Sequence, residues 1–163
     1  MKKIIFFLLA AYSTVSMGQK MDESTFDFWI GDWELSWSKG DGTKGHGINK
    51  IEKTLDGKVI QENFHDPETG FKGTSISVYN PNTKQWHQAW ADNQGGYFDF
   101  SGDMSDDGPV FKTKMIQQGD KQIIQKMTFK KISKDTFTWD WEGTNDGGKN
   151  WKLLWQIHYK RKK

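Results

Sequence analysis

The sequence has 163 residues, no cysteine, nine Trp within an aromatic content of 15%, and 23 basic against 21 acidic side chains. The lack of cysteine excludes disulfides and a lipid-modified Cys anchor, and the small net charge argues against nucleic acid as a partner, because phosphate binding needs a clear positive excess on one face. Hydrophobic residues make up only 34%, so the core must come from few, large side chains, which suits alternating strands better than stacked helices.

Met1-Lys2-Lys3 forms a positive n-region, Ile4 to Ala11 an apolar run, and Ser16-Met17-Gly18 places small residues where a signal peptidase reads. This is the pattern of a secretory signal peptide over residues 1–18. The apolar run is far below the roughly 18 residues of a membrane span. The expectation is therefore an exported chain, periplasmic or extracellular, with one domain over residues 19–163. Loss of Lys2 and Lys3 leaves 21 basic residues against 21 acidic, a formally neutral chain. The closing Lys160-Arg161-Lys162-Lys163 reads as a solvated tail.

Gln19 to Thr25 reads as a flexible lead-in, and Phe26 to Ile30 as a short helical turn capped by Ser24 or Thr25. Strands are predicted over 33–38, 45–53, 58–65, 73–79, 85–92, 97–101, 110–117, 122–131, 136–142 and 150–160. The separators are turn clusters such as Lys39-Gly40-Asp41-Gly42, Leu55-Asp56-Gly57, Asn80-Pro81-Asn82-Thr83 and Gly119-Asp120. About ten evenly spaced strands with no helical periodicity indicate an all-β fold, an up-and-down barrel or a sandwich.

Alternation assigns the faces. The predicted inward sets are Trp33, Leu35 and Trp37; Ile60 and Phe64; Ile76 and Val78; Trp86 and Trp90; and Phe98 and Phe100. Later in the chain they are Ile123, Met127 and Phe129; Phe137, Trp139 and Trp141; and Trp151 to Tyr159 at every second residue. The same alternation turns four polar groups inward: Asn49, Glu62, Gln88 and Gln125.

The segment Gly31-Asp32-Trp33, after a short aromatic turn and ahead of a strand, resembles the lipocalin signature, in which a Gly-x-Trp closes one end of an antiparallel barrel. The resemblance implies a basic residue from the last strand packed over that Trp, a role for Lys160 or Arg161; Gly31, Trp33 and Arg161 are taken as the closure set. With Gly47-Ile48-Asn49-Lys50-Ile51-Glu52 and Lys84-Gln85-Trp86-His87-Gln88-Ala89-Trp90-Ala91-Asp92-Asn93, nearly the whole remaining chain looks like a bacterial exported family of unknown function with a lipocalin-like, calycin barrel. That resemblance implies a single antiparallel up-and-down β-barrel with a cavity, and carries no activity with it.

Glu62 is the sharpest chemical candidate, since a carboxylate facing an apolar interior has its ionised form disfavoured. Its bland role is a structural hydrogen bond to Asn49, Gln88 or a lysine across the barrel. The leading expectation is a binding protein for a small, mainly apolar or aromatic ligand, held by Trp86, Trp90, Trp139, Trp141 and Trp155 with Asn49, Glu62, Gln88 and Gln125 as polar anchors. One alternative is an isomerase- or lyase-type enzyme using Glu62 as acid or base. A further alternative is carbohydrate binding on exposed Trp.

No cofactor is expected. His46, His65, His87 and His158 lack paired metal-ligand spacing. Asp103 to Gly108 imitates the start of a calcium loop, but position 114, where a bidentate acid belongs, is Lys114. Nitrobindins, small barrels that resemble lipocalins, hold haem through a His on the final strand; the positions that would serve here, Leu154 and Gln156, are not His, and His158 faces the wrong way. No Gly-x-Ser-x-Gly elbow is present.

Overall fold

A computed structural model describes residues 20–163. The expected leader lies outside the described residues. From Gly31 onward the chain forms antiparallel strands in series: β1 (Gly31–Ser38), β2 (Lys44–Thr54), β3 (Val59–His65), β4 (Lys72–Asn80), β5 (Gln85–Asp92), β6 (Tyr97–Ser105) and β7 (Gly108–Thr113). After the short β8 (Ile116–Gln118) come β9 (Lys121–Lys130), β10 (Thr136–Thr144) and β11 (Lys152–Arg161). Each pairs with its neighbour, β7 pairs with β9, and β11 returns to β1, which closes a ten-strand up-and-down barrel with β8 as an appendage on β9. Closure removes the free sheet edges that an open array of this length would expose.

One end is plugged by the chain preceding β1. A single 3-10 turn, Asp27–Trp29, places Phe26 in the interior, where its ring stacks on Phe111 at 4.5 Å and meets Trp86 edge-on at 5.1 Å. The expected cap from Ser24 or Thr25 does not form. Both are bound instead to Asp22: the Ser24 N–H and hydroxyl donate to Oδ1, and the Asp22 N–H donates to the Thr25 hydroxyl. The lead-in is correspondingly tied down, because the Trp86 indole N–H donates to the Asp22 carbonyl at 2.8 Å.

Trp33, fully buried, sits at this plugged end with its indole N–H donating to the Trp29 carbonyl at 2.8 Å. The Arg161 guanidinium lies 4.1 Å over its ring and donates to the carbonyls of Ile30, Phe28 and Lys134. Gly31 makes this approach possible. It has φ +138°, and a Cβ there would fall 2.1 Å from an Arg161 nitrogen.

Three further features differ from the sequence reading. In β4 the faces are reversed: Ile76 and Val78 are exposed, whereas Ser75 and Ser77 are buried. The reason is volume. Across from β4, Trp90 and Gln88 project into the barrel, and a Cβ at Gly73 would sit 2.0 Å from the Trp90 ring. Large side chains of β5 need small ones beside them, and Gly73, Ser75 and Ser77 supply that space. Gly73→Val is therefore expected to displace the ring and cost about 1–3 kcal/mol, read by thermal unfolding together with a shift in Trp emission. Unchanged stability and emission would show that Trp90 is not held by this packing.

The predicted strand 110–117 is split into β7 and β8. The Thr113 hydroxyl accepts the Gln125 N–H at 3.0 Å, substituting a side chain for the backbone ladder where β7 ends. The β8–β9 hairpin then borders a groove against β6, lined by Phe98, Phe100, Ile116, Ile123 and Gln125 among others. Between β10 and β11 the register shifts at Trp141 and Glu142, so that Trp141 faces Trp155 but Glu142 faces Leu153. This bulge, with Leu154 as the extra residue, leaves Leu153 exposed and puts Trp151 outside the barrel under the Lys126 ammonium at 4.2 Å.

Candidate functional site

Opposite the plug, the barrel interior opens into a cavity of about 160 Å³. Trp90 of β5, Trp139 and Trp141 of β10 and Trp155 of β11 line it, all half-buried. Trp139 and Trp141 stack nearly parallel at 6.2 Å, and Trp155 meets Trp139 edge-on at 6.0 Å. Phe64, Phe71, Phe98 and Phe100 complete the wall.

Glu62 reaches this cavity from β3 and is 6% exposed. Register explains its surroundings, since Glu62 pairs with Ile51 on one side and Ser75 on the other, and Asn49 follows two residues from Ile51 on the same face. Asn49 Nδ2 donates to Glu62 Oε1 at 2.6 Å, and the Ser75 hydroxyl donates to Oε2 at 2.7 Å. Asn49 Nδ2 also reaches the Tyr159 hydroxyl at 3.2 Å. Farther along the same interior stripe, Gln88 donates to the Ser77 hydroxyl at 2.9 Å. Asn49 Oδ1 and Gln88 Oε1 have no donor among the described residues.

Burial pushes the Glu62 carboxyl up to about 7, and the hydrogen bonds from Asn49 and Ser75 offset only part of that cost. Tyr159 is raised well above the usual phenol range, first by burial and then by the neighbouring Glu62 charge. Asp92, at the cavity margin, behaves oppositely. Burial disfavours its charge, but hydrogen bonds from the Gly96 and Gln94 N–H groups and the Trp90 indole outweigh that and hold it below the usual carboxylate range.

The structure thus brings together Glu62, Trp90, Trp139, Trp141 and Trp155 around one cavity, with Asn49 as hydrogen-bond partner to Glu62. Gln88 is buried beside Ser77 and is not among the lining residues. Trp86 lies at the plugged end against Phe26, and Gln125 in the groove beside β6. Sequence reasoning turned Phe64, Phe98, Phe100 and Tyr159 inward without assigning them to the site, and missed Ser75 and Phe71 altogether. Ser75 was hidden because its neighbours Ile76 and Val78 are more apolar; the pattern Phe71, Gly73, Ser75, Ser77, Tyr79 carries the true inward face.

Among the described residues no group of three or more His, Asp or Glu side chains is arranged to hold a metal ion, and no helix is long and apolar enough to cross a membrane. Four of the nine Trp are buried and five, including Trp151 on the outer face, are half-buried.

Fold and site together define a closed, all-antiparallel β-barrel with an aromatic-lined interior, consistent with a calycin-like fold. No family model matches the sequence, and no curated protein matches it either, so the likeness to an exported bacterial family has no independent match behind it.

Proposed function

We propose that this protein is an exported, lipocalin-like binding protein that takes a small, mainly apolar or aromatic molecule into the barrel cavity. The observation that carries this reading is the cavity itself, a largely aromatic chamber with one hydrogen-bonded carboxyl in its wall. Ligand pockets have this composition, mostly apolar with a few placed polar groups. Export is supported by the leader pattern of residues 1–18.

Size narrows the guest. An engineered apolar cavity of about 150 Å³ holds benzene, so 160 Å³ suits a single ring with a short substituent. Incubating the purified protein with cell extract and identifying co-purifying molecules by mass spectrometry tests the reading without presuming the ligand. Recovery of one small ring-bearing compound is the expected result. Trp141→Ala is expected to weaken its binding roughly 2- to 10-fold, the loss of one aromatic contact, read by calorimetry. Equal affinity in that variant would place the ligand elsewhere.

A further inference from the structure

The cavity is electrostatically one-sided. Thirteen residues line it: nine are aromatic, Met127 and Ile157 are aliphatic, and the two charged ones, Glu62 and Asp92, are both acidic. Among the described residues no Lys, Arg or His lines it; Lys50, His65 and Lys72 line an adjoining groove that shares Phe64 and Asp92 with the cavity. Glu62 is met by neutral groups alone, Asn49 from β2 and Ser75 from β4, with the Tyr159 hydroxyl of β11 beyond Asn49.

A buried carboxylate is costly unless paired with a positive charge. Here the protein supplies hydrogen-bond donors to both oxygens but no cation. The aromatic faces around it present negative potential as well, the arrangement that attracts ammonium groups. An anionic guest would meet like charge, and a neutral one would leave the ionised form of Glu62 without a counter-charge.

We propose that the ligand is a small organic cation, a protonated amine whose ammonium group pairs with Glu62 and whose apolar body lies among the Trp rings. This rests on the small-ligand reading above and specifies its chemistry. An ammonium carries three N–H donors, and the Glu62 oxygens keep acceptor capacity beyond their present bonds. Binding is coupled to deprotonation of Glu62: the free carboxyl is half protonated near pH 7, and the cation displaces that proton. Asp92, already held ionised, adds negative charge at the margin without titrating in this range.

The test is calorimetry on the purified protein with three probes of one shape, phenethylamine, phenethyl alcohol and phenylacetate. At about pH 8 the amine should bind at least roughly tenfold tighter than the alcohol, and phenylacetate weakest. Lowering the pH to about 6 should weaken the amine about tenfold, since Glu62 becomes mostly protonated, and leave the alcohol unchanged. Glu62→Gln should remove both the amine preference and the pH dependence, with circular dichroism reporting that the variant is folded. Should it not fold, the wild-type comparison decides alone. Alcohol or acid binding as tight as the amine overturns the charge assignment and leaves a neutral-ligand cavity standing. If none of the three binds, the small-ligand reading goes with it.

Discussion

Trp33→Ala is expected to lower the unfolding free energy by roughly 3–5 kcal/mol, measured by urea denaturation. The ring is wholly excluded from solvent and makes edge contacts with Phe137 at 4.9 Å and Tyr159 at 6.0 Å. Removing it leaves a cavity, and it also strips the Trp29 carbonyl of its indole donor and the Arg161 guanidinium of the face it covers. The three losses fall on the same junction between the plug and both ends of the sheet. A cost below about 1 kcal/mol would show that the plugged end closes without the indole.

The second large effect is a pH dependence of stability set by Glu62. In the folded state its carboxyl titrates near 7, against an ordinary value of 4.5. Between those limits the folded protein holds a proton that the unfolded chain has released, so stability is greatest below the lower value and declines as pH rises to the upper one. The full difference is about 3 kcal/mol. Asp92 and Asp146, both held below the usual range by hydrogen bonds, act in the opposite sense and at more acidic pH. The clean readout is therefore the difference between wild type and Glu62→Gln, followed by denaturation from about pH 4 to pH 8. It should favour the variant increasingly up to pH 7 and then level off. A flat difference would show that Glu62 is solvated.

Strand number, order and the plugged end were legible because they depend on local signals. Alternation and turn residues mark the strands, and Gly31-Asp32-Trp33 after an aromatic turn marks the entry to β1. What was not legible depends on partners across the sheet. Nothing local in 72–80 says that serines rather than Ile76 and Val78 face inward; the demand for small side chains comes from Trp90 and Gln88 on β5. The end of β7 is set by the Thr113 hydroxyl meeting Gln125, twelve residues on, and the exposure of Leu153 by a bulge against β10. Glu62 could be singled out from its own strand. Its partners Ser75 and Tyr159 could not: Ser75 meets it through the β3–β4 register on a face that Ile76 and Val78 disguise, and Tyr159 only through the β11–β1 closure.

The plug has a consequence for how such a chain can diversify. Phe26, Trp29, Trp33, Phe111 and Phe129 are at most 1% exposed and cluster at one end, whereas Trp90, Trp139, Trp141 and Trp155 are only half-buried around the cavity. The rim tryptophans are therefore set apart from the side chains that seal the plug, although Ile157 and Tyr159 belong both to the core and to the cavity wall. On the binding reading proposed above, substitutions at Trp90, Trp139, Trp141 and Trp155 would alter what fits while the plugged end continues to hold the fold.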